Sequence, residues 1–250
     1  MARDVRDLRQ FYAGPLGRSA NAILSGKLAE AWGACSGLDV LGVGYAGPLL
    51  NGLVATRRSV WLATGVDEIN PWPARGKNRV CLGQGAAMPF ADASFDRVLL
   101  VHALEDSEDP AALLAQACRV MSGAGRMMIV AAARGGFWAR SEATPFGSGR
   151  PFSRRQLERL LRDVELEPTA WSQALYMPPV TRLAGWAEGI EQVGSALAPG
   201  LAGVLLMEAV KRPYLAPARV AKARKPVLAA PVLAPQPAGR SGLGANRESP

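Results

Sequence analysis

Short apolar runs of strand length recur along this chain, and most are followed by a stretch with helical character. The clearest runs cover 38–41, 60–63, 79–82, 95–101 and 126–132, and two more are expected at 169–176 and 203–210. Parallel strands cannot be joined by a tight turn. They need a crossover, and a helix packed on the sheet is the usual one. The alternation therefore predicts an α/β fold: a doubly wound, mostly parallel seven-stranded sheet with helices on both faces, a Rossmann-like arrangement.

The intervening segments fit that reading. Residues 1–34 read as helical, with Val5, Leu8, Phe11 and Tyr12 on one face and a break at Gly14-Pro15. Leu49, Leu50, Leu53 and Val54 suggest a helix after the first strand. Asp109 followed by Pro110 is a helix start expected to run to about residue 121, and Ser153 caps another over 154–164. A last helix is expected over 182–197. Residues 133–152 form a long connection with no regular pattern.

Composition sets further limits. Hydrophobic residues make up 49% of the chain, enough for a sizeable core, and no run approaches the ~18 apolar residues that cross a bilayer. The first ten residues alternate charges and lack a secretory apolar segment, so a cytoplasmic protein is expected. The three cysteines, Cys35, Cys81 and Cys118, are widely spaced and form no C-x-x-C pair, which points away from a metal site or a disulfide framework. The net charge is +8, but from Lys211 onward eight basic residues face only Glu248. The rest is nearly neutral, so the fold itself gives no reason to expect nucleic acid as a partner. We expect one domain over 1–212, with its core at 36–132, and a disordered Pro/Ala-rich basic tail over 213–250. The tail is a candidate for contact with a protein or an acidic surface.

The chemistry-bearing features begin with Gly42-Val43-Gly44-Tyr45-Ala46-Gly47, a glycine-rich turn between a buried strand and a helix. Glycine there allows close backbone approach, and a helix start offers free N–H groups to an anionic ligand. Downstream stand Met88-Pro89-Phe90, Ser94-Phe95-Asp96, Ala103-Leu104-Glu105, Arg119-Val120-Met121 and Gly123-Ala124-Gly125, in that order. Over roughly residues 36–132 this series resembles the type 11 methyltransferase domains of the class I S-adenosylmethionine-dependent family. The resemblance implies S-adenosylmethionine at the carboxyl ends of the first four strands. It also implies methyl transfer, with Gly42, Gly44, Tyr45, Gly47, Asp67, Gln84 and Met88 as candidate cofactor contacts, and the near-neutral, single-domain body favours a small-molecule acceptor over nucleic acid. No metal is implied.

The series also departs from the family. Val40 stands where an acid usually precedes the glycine turn, with Asp39 one residue earlier. Ala63 and Thr64 end the second strand in place of the ribose-binding acid, leaving Asp67 as the nearest substitute. Gln84 replaces the acid that precedes the Leu-Pro-Phe segment. These changes motivate an alternative reading, a non-catalytic binding or regulatory module on the same fold. For acceptor chemistry, His102 is the only histidine and follows the fourth strand, where a general base is useful. The loop after the fifth strand carries Arg134, Trp138, Arg140 and Arg150, candidates to hold an acceptor, with the arginines suited to an anionic group. Its aromatics, Phe137, Trp138, Phe146 and Phe152, are expected to bury.

Overall fold

A computed structural model of the chain describes residues 5–64, 71–141, 144–197 and 199–212. It opens with α1 (Val5–Ala13) and α2 (Pro15–Trp32), separated at Gly14 as the Gly-Pro pair predicts. Then follow β1 (Asp39–Gly44), α3 (Gly47–Leu50), β2 (Arg58–Ala63), β3 (Val80–Leu82) and β4 (Phe95–Val101). The second half runs α4 (Pro110–Val120), β5 (Met121–Ala132), α5 (Arg154–Asp163), β6 (Leu166–Ala174), α6 (Ala187–Leu197) and β7 (Val204–Lys211).

The seven strands form one sheet in the order β3-β2-β1-β4-β5-β7-β6. Pairings from β3 through β5 are parallel, and β7 inserts antiparallel between β5 and β6. Strand order reverses between β1 and β4. Both faces are apolar, so successive residues alternate between two cores rather than between core and water. Val40, Leu99, Val101, Met128, Val130 and Leu206 pack on the α2–α6 side. Leu41, Val98, Leu100, Met127, Ile129 and Leu205 pack under α4 and α5.

Several sequence expectations shift in detail. The helix expected over Leu49–Val54 is a single turn ending at Leu50, and Val54 is exposed. The turn expected at 122–125 is absorbed into β5, which begins at Met121. The helix expected from 182 starts as a 3₁₀ segment (Thr181–Trp186) before α6. The capping expectations hold: Asp109 accepts from Ala112 N–H at 2.9 Å, and Ser153 forms a reciprocal capping box with Gln156. The cysteines are free thiols, and burial pushes the Cys35 and Cys118 thiols up. The basic tail lies outside the described residues. Among the described residues, no helix is long and apolar enough to cross a membrane, and no cluster of His, Cys, Asp or Glu has the makings of a metal site.

Candidate cofactor and acceptor site

The amino ends of the strands carry a structural network. Asp39 is buried and accepts from Arg57 Nε and Nη2, both at 2.9 Å, and from Arg58 Nη2 at 3.1 Å. The Arg57 hydrogen bonds hold its carboxyl below the usual aspartate range, against the opposing effect of burial, with the Arg58 charge adding to the lowering. Asp96 Oδ2 accepts from Asp39 N–H at 3.0 Å. Both acids therefore staple β1, β2 and β4 at the edge remote from the glycine turn. Asp39 does not stand in for the acid missing at Val40.

The carboxyl edge is where a doubly wound sheet binds ligands, at the reversal of strand order. There the turn Gly42–Gly47 leaves β1 beside the end of β4, with Gly44 paired to Val101. Gly44 adopts φ +78°, and a Cβ there would stand 2.3 Å from Val101 O. A Cβ on Gly42 would meet Ala46 and Leu50, and one on Gly47 would meet the Trp61 ring at 2.6 Å. The glycines are thus demanded by the protein's own packing, whatever else the turn binds.

Aromatic side chains cover this turn. Tyr12 of α1 stacks on Tyr45, with ring centroids 5.4 Å apart, and Trp61 meets Tyr45 edge-on at 5.5 Å. Trp61 Nε1–H donates to Gly44 O, and Trp72 Nε1–H donates to Asn51 Oδ1 at 2.8 Å. Burial pushes the Tyr45 phenol up, with Arg9 pulling the other way, so that phenol stays protonated at neutral pH.

The segment after β3 is more open. Gln84 is exposed and begins a tight turn closed by Ala87 N–H donating to Gln84 O at 3.0 Å. Thr64, at the end of β2, lies beside Gly85. Met88 is buried in the core under α4. Arg119 fixes this segment by donating to the carbonyls of Met88 and Phe90, each at 2.8 Å, and to Asp92 at 2.6 Å. Asp67 lies outside the described residues.

His102 follows β4 directly. It is buried, sits at φ +51°, and its Nε2 lies 2.9 Å from the Tyr12 hydroxyl. The left-handed backbone is uncommon outside glycine and is held here by the surrounding packing. The Phe146 ring stands 4.5 Å from the imidazole, centre to centre. Glu105, three residues further on, is buried as well. Its Oε1 accepts from Ala132 N–H at 2.9 Å, tying the loop after β4 to the end of β5.

The loop after β5 divides as its chemistry requires. Trp138, Phe146 and Phe152 are buried, whereas Phe137 remains 39% exposed. Trp138 Nε1–H donates to Met177 O at 2.7 Å, which makes it a core anchor rather than an acceptor contact. Arg134, Arg140 and Arg150 are exposed. Sequence reasoning missed Tyr12, Trp61 and Phe146 as site residues. The apolar face of α1 was visible, but nothing in it says that the face closes over His102.

Comparison with known proteins agrees with this architecture. Residues 42–129 match the family model described as "Methyltransferase domain". Among curated proteins, none matches. A solved S-adenosylmethionine-dependent methyltransferase from Thermotoga maritima, described as a possible histamine N-methyltransferase, superposes with TM-score 0.59 at 17% identity, covering 83% of this chain and 96% of that one. A Burkholderia thailandensis 1,6-didemethyltoxoflavin-N1-methyltransferase, solved with 1,6-didemethyltoxoflavin and S-adenosylhomocysteine bound, gives TM-score 0.52 at 19% identity over 83% and 82% of the two chains. A Mesorhizobium loti S-adenosylmethionine-dependent methyltransferase gives 0.53 at 11% identity, covering 74% and 95%. At such identities the likeness concerns the fold. The fold is therefore the Rossmann-like methyltransferase fold, and residues 42–129 match the type 11 methyltransferase domain model.

Proposed function

We propose that this chain transfers a methyl group from S-adenosylmethionine to a small-molecule acceptor. The observation that carries the reading is convergence. The glycine turn, the Thr64–Gly85 side and His102 all meet at the carboxyl edge where strand order reverses. On this reading Gln84 and Met88 serve the adenine, Asp67 is the candidate for the ribose, and Gly42, Gly44, Tyr45 and Gly47 serve the methionyl end. The cofactor supplies a methyl on a sulfonium, already a good leaving group. The protein's task is then alignment of the acceptor and, for an acidic nucleophile, removal of its proton. His102 Nε2 is the candidate to take that proton once Tyr12 withdraws from it. The Arg134, Arg140 and Arg150 side chains rim the acceptor region.

A second reading, a binding module without turnover, draws on a specific feature: the Tyr12, Tyr45 and Trp61 rings pack together at the glycine turn. On the catalytic reading the Tyr12 side chain turns aside to admit the cofactor while α1 keeps its place, and on the other it stays. We place the protein in the cytoplasm and assign residues 213–250 to contact with an acidic surface or a protein partner.

The test offers the full chain methyl-labelled S-adenosylmethionine with a panel of small phenols, amines and thiols, and follows S-adenosylhomocysteine formation. Turnover with one class, lost in His102→Ala while S-adenosylhomocysteine still binds, is the expected result. Turnover only with RNA or protein would overturn the small-molecule assignment.

A further inference from the structure

A cleft of about 460 Å³ lies beside the α1–α2 junction and has no role in the site described above. Its volume falls within the range of small-molecule pockets. Asp7, Gln10 and Phe11 line it from α1, Thr144 and Ser148 from the loop after β5, and Thr181 from the 3₁₀ segment. Among the described residues, Asp7 is the only charged side chain in that lining. It has no ion pair or hydrogen bond among the described residues. The other polar groups are neutral hydroxyls and one amide. Among the described residues no cationic side chain lines the cleft, Arg134, Arg140 and Arg150 included, so none of them offers an anionic ligand a counter-charge there.

The inner wall of the cleft leads toward the proposed base. Phe11 lies 5.1 Å from Tyr12 and 6.3 Å from Phe146, and those two rings flank His102 at 6.0 and 4.5 Å, all centre to centre. A ligand seated against Phe11 thus has two layers of rings, Phe11 and then Tyr12 with Phe146, between itself and His102.

We propose that this cleft binds the non-reacting part of the acceptor, and that it takes a small cation, an ammonium on a flat apolar body. Asp7 holds the ammonium, and Phe11 packs against the body. A carboxylate against an ammonium gives a charge-assisted contact, and an aromatic wall accepts an apolar or cationic face. The proposal rests on reading the carboxyl edge as the acceptor site, but its test needs neither cofactor nor turnover.

The probe is phenethylamine, compared with 3-phenylpropionate, which has a similar ring and spacer but the opposite charge. Each is titrated into the full chain by protein-detected NMR. Phenethylamine is expected to bind and to shift resonances of residues 7–16 and 144–148, and the carboxylate to bind at least about tenfold more weakly. Asp7→Asn should weaken phenethylamine by about tenfold. Thr181→Trp, which fills the cleft from another element, should abolish the shifts while the melting temperature stays near wild type. Equal binding of the two probes, insensitivity to Asp7→Asn, or shifts mapping elsewhere would each overturn the proposal. Amine binding here with no S-adenosylmethionine binding would instead overturn the methyltransferase reading and leave the cleft assignment standing.

Discussion

Replacing Gly44 by alanine should destabilise the domain severely, and the reason lies in the sheet. The residue has φ +78°, and a side chain in left-handed backbone costs about 1–2 kcal/mol. The added Cβ would also stand 2.3 Å from Val101 O and 2.9 Å from Ala103 Cβ. Ordinary contact needs about 1 Å more, and the obstructing atom is backbone. That same carbonyl accepts from Tyr45 N–H at 2.9 Å, so relieving the clash loosens a hydrogen bond worth about 1 kcal/mol. Together these give about 3–5 kcal/mol, against a total stability of about 5–15 kcal/mol for a domain. For a domain of this size, that lowers the melting temperature by about 6–20 °C. Gly26 is the paired control. It lies inside α2, with no atom within 4 Å of an added Cβ, so alanine there should stabilise by up to about 1 kcal/mol. The assay is urea unfolding followed by far-ultraviolet circular dichroism. A Gly44→Ala protein as stable as wild type would refute the packing argument. Loss of cofactor binding in a Gly44 variant accordingly reads as a folding defect unless stability is measured alongside.

Other consequences follow from the contacts. Arg119→Ala should cost about 2–3 kcal/mol and speed amide exchange over 84–92, because three hydrogen bonds anchor that segment; exchange confined to other regions would contradict this. Asp39 has a lowered carboxyl pKa in the folded state, so its contribution is present above the ordinary aspartate value near 4 and lost as pH falls below it. Asp39→Asn should therefore be less stable at pH 7 and show a smaller stability loss from pH 5 to 3, and parallel wild-type and variant curves would argue against the pair. Tyr12→Phe should cost about 1 kcal/mol and shift the ring-proton signals of His102, which need no assignment because it is the only histidine; unmoved signals would mean the hydrogen bond is absent.

Much of the fold was legible because its signals are local. Apolar runs at 38–41, 95–101 and 126–132 mark strands buried on both faces, and Asp109-Pro110 and Ser153 mark helix starts by their own hydrogen bonding. The one-turn α3 was not legible: Leu49 and Leu50 pack inward, but the chain turns away before Val54 can join them. For the site, spacing located the glycine turn and His102. It did not show that Asp39 is committed to Arg57 and Arg58, or that Trp138 is committed to Met177 O. Nor did it show that Tyr12, ninety residues from His102, covers it. Those facts are made by tertiary contacts between distant segments, and no local pattern records them.

The central claim is that the carboxyl edge between β1 and β4 binds S-adenosylmethionine. Calorimetric titration of the full chain with S-adenosylmethionine and with S-adenosylhomocysteine tests it most directly. The account predicts saturable binding of both at one site, accompanied by movement of the His102 ring signals as Tyr12 is displaced. No heat at millimolar ligand, with His102 signals unchanged, would contradict it and leave Tyr12 as a permanent cover over an edge that does not bind the cofactor.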